Sequence, residues 1–265
     1  MPRRRQARRH KESIPRPGRY QHPDATARLV EIQIRAVTNL IQRETLKRVG
    51  PLLETRQDSN EQIRLELSNI EHLVLRFIDE RVKPVLATAA RRVTNKNVAW
   101  STKTLKKVSE RLHGVSTLSV VNQATLDRFQ SYNLGLVQSL AGKQLQELER
   151  LVVQADVQGL HYSELSARIE KATGATKARA RLLARDQTLK LNAQINQERQ
   201  RSAGVTQYIW RTSNDERVRD RHADLDGQTF SWDDPPEVSD DGRREHPGGD
   251  YQCRCIAEPV IPDFK

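Results

Sequence analysis

The hydrophobic positions of this chain follow two regimes. From residue 23 to about 202, apolar residues recur at steps of three and four among charged and amide side chains, as in helices with a narrow buried stripe. After Gly204 the step shortens to two, the period of a strand. A first helix is predicted from Pro23 or Asp24 to Val49, opened by proline and stopped by Gly50-Pro51, with Leu29, Ile32, Val37, Leu40, Ile41 and Leu46 as its apolar positions. A second starts at Ser59, where Ser59 and Gln62 have capping-box spacing, and carries the stripe Ile63, Leu67, Ile70, Val74 and Phe77. Pro84 is expected to break or kink it. Val85 to Leu112 reads as further helix, Ser116 to Ala155 as a helical pair, and Glu164 to Ala172 as a short helix capped by Ser163 and ended by Gly174. The last helix runs from Thr176 to about Ser202, with Ala178, Leu182, Leu189, Ala193 and Ile195 as apolar points.

Val205 to Thr212 alternates and is rich in β-formers, so a strand is predicted. Ser213 and Glu216 have capping-box spacing for a short helix carrying Arg217 to Ala223. Asp226-Gly227 supplies a turn, Gln228 to Trp232 a second strand, residues 233–250 a polar loop, and Cys253 to Val260 a third strand. The fold class is therefore mostly α: an elongated helical N-terminal region over 23–162 and beyond, then a small α+β C-terminal module over 205–265.

Composition sharpens this picture. With 36% hydrophobic and 5% aromatic residues in 265, the chain can build thin helical seams but no deeply layered core. A net charge of +11 points to a polyanionic neighbour, nucleic acid or an acidic protein surface, with a merely solvated basic surface as the alternative. Residues 1–22 hold Arg3, Arg4, Arg5, Arg8, Arg9 and Lys11 among prolines, with almost nothing to bury, and read as a disordered basic arm. Those side chains could lie along the phosphates of double-stranded DNA; a solubilising or partner-docking tail is the other reading. No apolar h-region follows the arginines, and no run reaches the ~20 apolar residues of a membrane span, so neither secretion nor a membrane partner is expected.

The chemistry gathers at the end of the chain, where Trp210, Trp232, His222, His246 and both cysteines, Cys253 and Cys255, are found. Helical spacing puts His222 on the same inward face as Val218 and Leu225, and strand spacing puts both thiols on one face. If His222, His246, Cys253 and Cys255 converge, they form a tetrahedral Cys2His2 set suited to structural Zn2+. The alternative is a hydrogen-bonded His222, a loop His246 and two plain core thiols. A Cys-x-Cys disulfide would close a very small, strained ring, and a reducing cytoplasm disfavours it. Asp215, Asp220, Asp224 and Asp226 with the histidines could serve a metal-dependent hydrolase or nuclease, but Arg217, Arg219 and Arg221 suit them better to salt bridging. No G-x-S-x-G, H-E-x-x-H or Walker-type loop is present, so a non-enzyme is expected.

Taken in order, Arg179-Ala180-Arg181-Leu182-Leu183-Ala184-Arg185-Asp186, Trp210, Asp215-Glu216-Arg217-Val218-Arg219, His222, Leu225-Asp226-Gly227, His246-Pro247-Gly248 and Cys253-Arg254-Cys255 resemble the phage Mu F-like head morphogenesis family, the minor head proteins of tailed phages and prophages. The resemblance covers about Ser163 to Pro259 and makes 163–204 the helical start of that family's domain. It implies a minor capsid protein of a Mu-like phage or prophage, associated with the portal vertex of the virion head, assembled in the host cytoplasm with portal and major capsid or scaffold proteins, and linked to DNA. The family positions carried over are Arg185, Asp215, Arg217, His222, Gly227, Pro247, Gly248, Cys253, Arg254 and Cys255, fold-defining before anything else. Gly227 and Gly248 suit positive-φ turns, and Arg254 suits pairing with nearby acids.

Overall fold

The computed structural model describes residues 23–55, 60–111, 122–158, 160 and 162–260. The architecture is mostly α with a small α+β module at the C-terminal end. Helices α1 (Asp24–Arg48), α2 (Gly50–Thr55), α3 (Asn60–Phe77), α4 (Lys83–Arg111), α5 (Gln123–Gln158) and α6 (Tyr162–Ser202) precede β1 (Gln207–Arg211), α7 (Asp220–Asp224), β2 (Thr229–Ser231) and β3 (Ile256–Pro259). Among the described residues no helix is long and apolar enough to cross a membrane.

One apolar cluster joins α1, α3, α4, α5 and α6, from Val30 to Ala184. The α3 stripe is as its spacing predicts: Ile63, Leu67, Ile70 and Val74 are buried, and Ile78 continues it past a half-buried Phe77. On α1 the buried line is Ala27, Val30, Ile34, Val37 and Ile41, while Ile32 is 52% exposed. Steps of three and four are kept, but the helix is rotated from the face that Leu29 and Ile32 suggest. Ser59, the expected cap of α3, lies outside the described residues.

Three expected interruptions are absent. Pro84 does not end the rod formed by α3 and α4; a π turn at Ile78–Val82 precedes it, and the Lys83 N–H reaches back to the Ile78 carbonyl. A wider turn absorbs the register change that a proline, with no N–H of its own, imposes on the ladder. Instead of a helical pair, α5 is one helix that runs through Gly135 and Gly142. Gly174, expected as a stop, sits inside α6. Leu165, Ile169, Thr173, Thr176, Ala180 and Ala184 keep one buried face across it. That packing outweighs the roughly 1 kcal/mol by which glycine disfavours helix relative to alanine.

The C-terminal half of α6 buries polar side chains, Asn192, Asn196, Arg199 and Gln200, whereas Leu182, expected inside, is 45% exposed. These amides seat the module: Asn196 Nδ2 and Gln200 Nε2 both donate to the Ala257 carbonyl, at 3.1 and 2.8 Å. Nearby, Arg199 is fully buried and donates from Nε to Ser101 Oγ at 2.5 Å. In the module, β1 is the centre of an antiparallel sheet ordered β2-β1-β3, pairing Tyr208 with Phe230 on one side and Trp210 with Ala257 on the other. Tyr208, Trp210, Trp232, Val238, Cys253, Cys255 and Ala257 form its core.

Candidate functional site

The short helix α7 begins later than the Ser213 and Glu216 spacing suggests. Asn214 adopts a left-handed φ of 50°, Asp215 Oδ1 accepts the Arg217 N–H at 3.1 Å, and the Val218 N–H bonds the Asp215 carbonyl at 3.0 Å. This closed turn takes the place of the expected first helical turn, so α7 opens at Asp220. The thiols are likewise not on a strand, since Cys253 and Cys255 precede β3.

His222 is 2% exposed and stands edge-on to Trp210, with ring centroids 5.4 Å apart. Its Nδ1 lies 3.6 Å from the Sγ atoms of both Cys253 and Cys255. The ligand atoms of these three buried residues all fall within 4.8 Å of one another. On the far side of the ring, Nε2 is 3.3 Å from Asp250 Oδ2, close but not aligned as a hydrogen bond. Asp250 is buried too and is held by Arg219 at 2.9 Å and Arg243 at 2.7 Å. The two thiols are unequal. The Cys255 thiol's hydrogen bond holds the Cys253 thiol well below its ordinary range, with burial opposing and His222 assisting. Cys255 is pushed up, first as the proton donor to Cys253 and then by burial. Of the two, Cys253 is the thiol the surroundings favour for losing its proton.

The fourth expected ligand is elsewhere. His246 Nδ1 is 2.9 Å from the Tyr208 hydroxyl, and its ring lies 5.5 Å from that of Tyr208 and 4.9 Å from that of Trp232. Burial lowers its pKa, and Arg201 lowers it further, while burial raises that of Tyr208. A neutral imidazole accepting from the hydroxyl fits both shifts. The turn carrying His246 is pinned to α6 by Gly248, whose α-carbon faces Ala193 and whose φ is +86°. The imidazole therefore falls among the aromatics, and a Cys2His2 set does not assemble.

What converges is His222, Cys253 and Cys255. Two sulfurs and an imidazole nitrogen whose opposite nitrogen faces a carboxylate make a donor set that suits a soft divalent ion such as Zn2+. Bound there, an ion would cross-link α7 to the segment before β3.

The other predicted positions also have places. Gly227 takes the expected positive φ, +81°, as does Gly248. Pro247 is buried beside Gly248. Arg254 pairs with Asp215, whose carboxyl it holds below the usual range. Arg185 and Arg217 line a cleft with Arg254. Of the acids considered for hydrolysis, Asp226 accepts the Thr212 N–H at 2.8 Å, and none joins the thiol and imidazole cluster among the described residues. Arg3, Arg4, Arg5, Arg8, Arg9 and Lys11 lie outside the described residues. Sequence reasoning missed Asp250 and Asp186. Asp186 Oδ1 accepts the Gln252 N–H at 2.7 Å, and Gln252 has a positive φ of 53°. Nothing periodic in the polar loop marks Asp250, although Asp186 stands within the arginine-rich motif of α6.

Residues 146–258 match the family model described as Phage Mu protein F like protein, beginning inside α5. An uncharacterized protein of Haemophilus influenzae strain Rd is 40% identical over 129 residues, which are 49% of this chain and 28% of that relative. The chain thus spans well under half the length of the relative it matches. No solved structure matches the chain. Residues 146–258, with the ordered motif from Arg185 to Cys255 gathered in and around one module, are thus similar to the phage Mu F-like proteins.

Proposed function

We propose that the chain is a minor head protein of a Mu-like tailed phage or prophage, located near the portal vertex and acting in procapsid assembly through contacts with portal and major capsid or scaffold proteins. The observation that carries this reading is the match over residues 146–258. The fold is compatible with it: the matched segment takes in the end of α5, the 41-residue helix α6 and the terminal module, which is hydrogen-bonded to that helix through Asn196 and Gln200. The net charge of +11 supports contact with packaged double-stranded DNA, with Arg3, Arg4, Arg5, Arg8, Arg9 and Lys11 as the groups that would meet phosphates. Structural Zn2+ on His222, Cys253 and Cys255 completes the reading, as a staple for a module with few core residues.

Procapsids purified from induced cells should contain the chain and should release it together with the portal. Infectious, DNA-filled particles that lack it altogether would end the proposal. Deleting residues 1–22 should abolish retention on DNA and leave portal association intact. Loss of portal association with DNA retention unchanged would reverse the assignment of the arm.

A further inference from the structure

A cleft of about 630 Å³ opens where α1, the middle of α6 and the terminal module meet, lined by Arg28, Arg35, Arg181, Arg185, Arg217 and Arg254 together with Asp24 and Glu31. A smaller cavity of about 130 Å³ shares Arg185, Arg217 and Arg254 with it and reaches the thiol pair. The arginines come from three distant parts of the chain. Two are neutralised: Arg35 bonds Glu31 at 3.2 Å, and Arg254 bonds Asp215. Arg28, Arg181, Arg185 and Arg217 have no carboxylate within ion-pair distance among the described residues, and Asp24 is the remaining acid of the lining. Burial disfavours the charge on Arg185, and the neighbouring Arg254 and Arg217 add to that, with Asp24 opposing.

Bringing unneutralised guanidinium groups together costs free energy that a bound anion would return. The anion must offer several acceptors and more than one charge. A carboxylate occupies one guanidinium fork, whereas a phosphate group presents oxygens in several directions and suits arginines arriving from different elements. We propose that this cleft is a binding site for a phosphate-type oxyanion, held by Arg181, Arg185 and Arg217 with Arg254 fixed behind them by Asp215. The phosphate is either free or part of a nucleic-acid backbone. The site is separate from the basic arm and does not depend on the head-protein reading.

The test is calorimetric titration of the full chain with inorganic phosphate at constant ionic strength, with chloride as the blank. Saturable binding is expected, weakened at least tenfold in Arg217→Gln and in Arg181→Gln, two exposed positions, with circular dichroism and thermal melts of both variants matching the parent. Arg150→Gln, which removes the same charge from an exposed pair with Glu147 on α5, should bind as the parent does. A short DNA duplex added as competitor identifies the source. Displacement that is lost in Arg217→Gln supports a backbone phosphate, and phosphate binding without displacement supports a free one. Absence of saturable phosphate binding, equal weakening by Arg150→Gln, or preference for a polyglutamate peptide over phosphate would each overturn the proposal.

Discussion

Replacing Gly248 with alanine tests whether the module is locked to α6 by a backbone contact. Gly248 has φ +86°, and a β-carbon built there would lie 2.7 Å from Ala193 Cβ and 3.5 Å from the Cys255 carbonyl oxygen. Two penalties follow. The left-handed backbone costs an L-residue about 1–2 kcal/mol. Forcing a methyl against a helix side chain that has no flexible end to move costs about 1–3 kcal/mol more, for a total of about 2–5 kcal/mol. Gly242 separates the terms, because its φ is +77° and nothing lies within 4 Å of a built β-carbon. Gly242→Ala should therefore cost only the backbone part, about 1–2 kcal/mol. Ala193→Gly alone should cost about 1 kcal/mol, yet combined with Gly248→Ala it should return most of the steric part as a favourable coupling of about 1–3 kcal/mol. Urea unfolding followed by the fluorescence of Trp210 and Trp232, both in the module core, reads these differences. If Gly248→Ala proves no worse than Gly242→Ala, or the coupling is zero within about 0.5 kcal/mol, the docking argument is refuted.

Three further outcomes follow from the same structure. Gly174→Ala should raise stability by about 0.5–1 kcal/mol in a thermal melt, since Gly174 lies within a helix with open space around it; a loss of stability would mean that α6 breaks there. Protein purified without chelator should bind one Zn2+, and Co2+ in its place should show sulfur-to-metal charge-transfer absorption. Binding should be lost in Cys253→Ser and Cys255→Ser and kept in His246→Gln; dependence on His246 would restore the Cys2His2 set. Zinc at a hundredfold excess over its dissociation constant should stabilise the fold by about 2.7 kcal/mol. The folded pKa of His246 is depressed below its ordinary 6.5, so the unfolded chain takes up its proton first. Its contribution is therefore complete above pH 6.5 and is lost as pH falls toward the lower folded value, at no more than about 1.4 kcal/mol per pH unit. Stability measured against pH should lose this component in His246→Gln, and an unchanged profile would count against a buried neutral imidazole.

Much of the chain's local structure could be read from its residues alone, because it depends on near neighbours. The three-and-four spacing of Ile63, Leu67, Ile70 and Val74 sets the buried face of α3, and the alternation around Tyr208 and Trp210 makes a strand with both rings inside. The Asp-Gly and Pro-Gly pairs foretold left-handed turns at Gly227 and Gly248, and the Cys-x-Cys spacing brought two thiols together near an inward-facing His222. Tertiary packing decided the rest. Helix α6 could not be seen to pass through Gly174, nor its polar face to be buried, since hydrophobic periodicity cannot register a face whose amides are satisfied by the Ala257 carbonyl 57 and 61 residues away. Which histidine joined the thiols was likewise not a local matter. His246 is nearer to them in sequence, but Gly248 on Ala193 turns its ring toward Tyr208 and Trp232, while α7 delivers His222 from the other side. Spacing along a chain determines which side chains can share a face, whereas contacts between distant segments determine which of those faces meet.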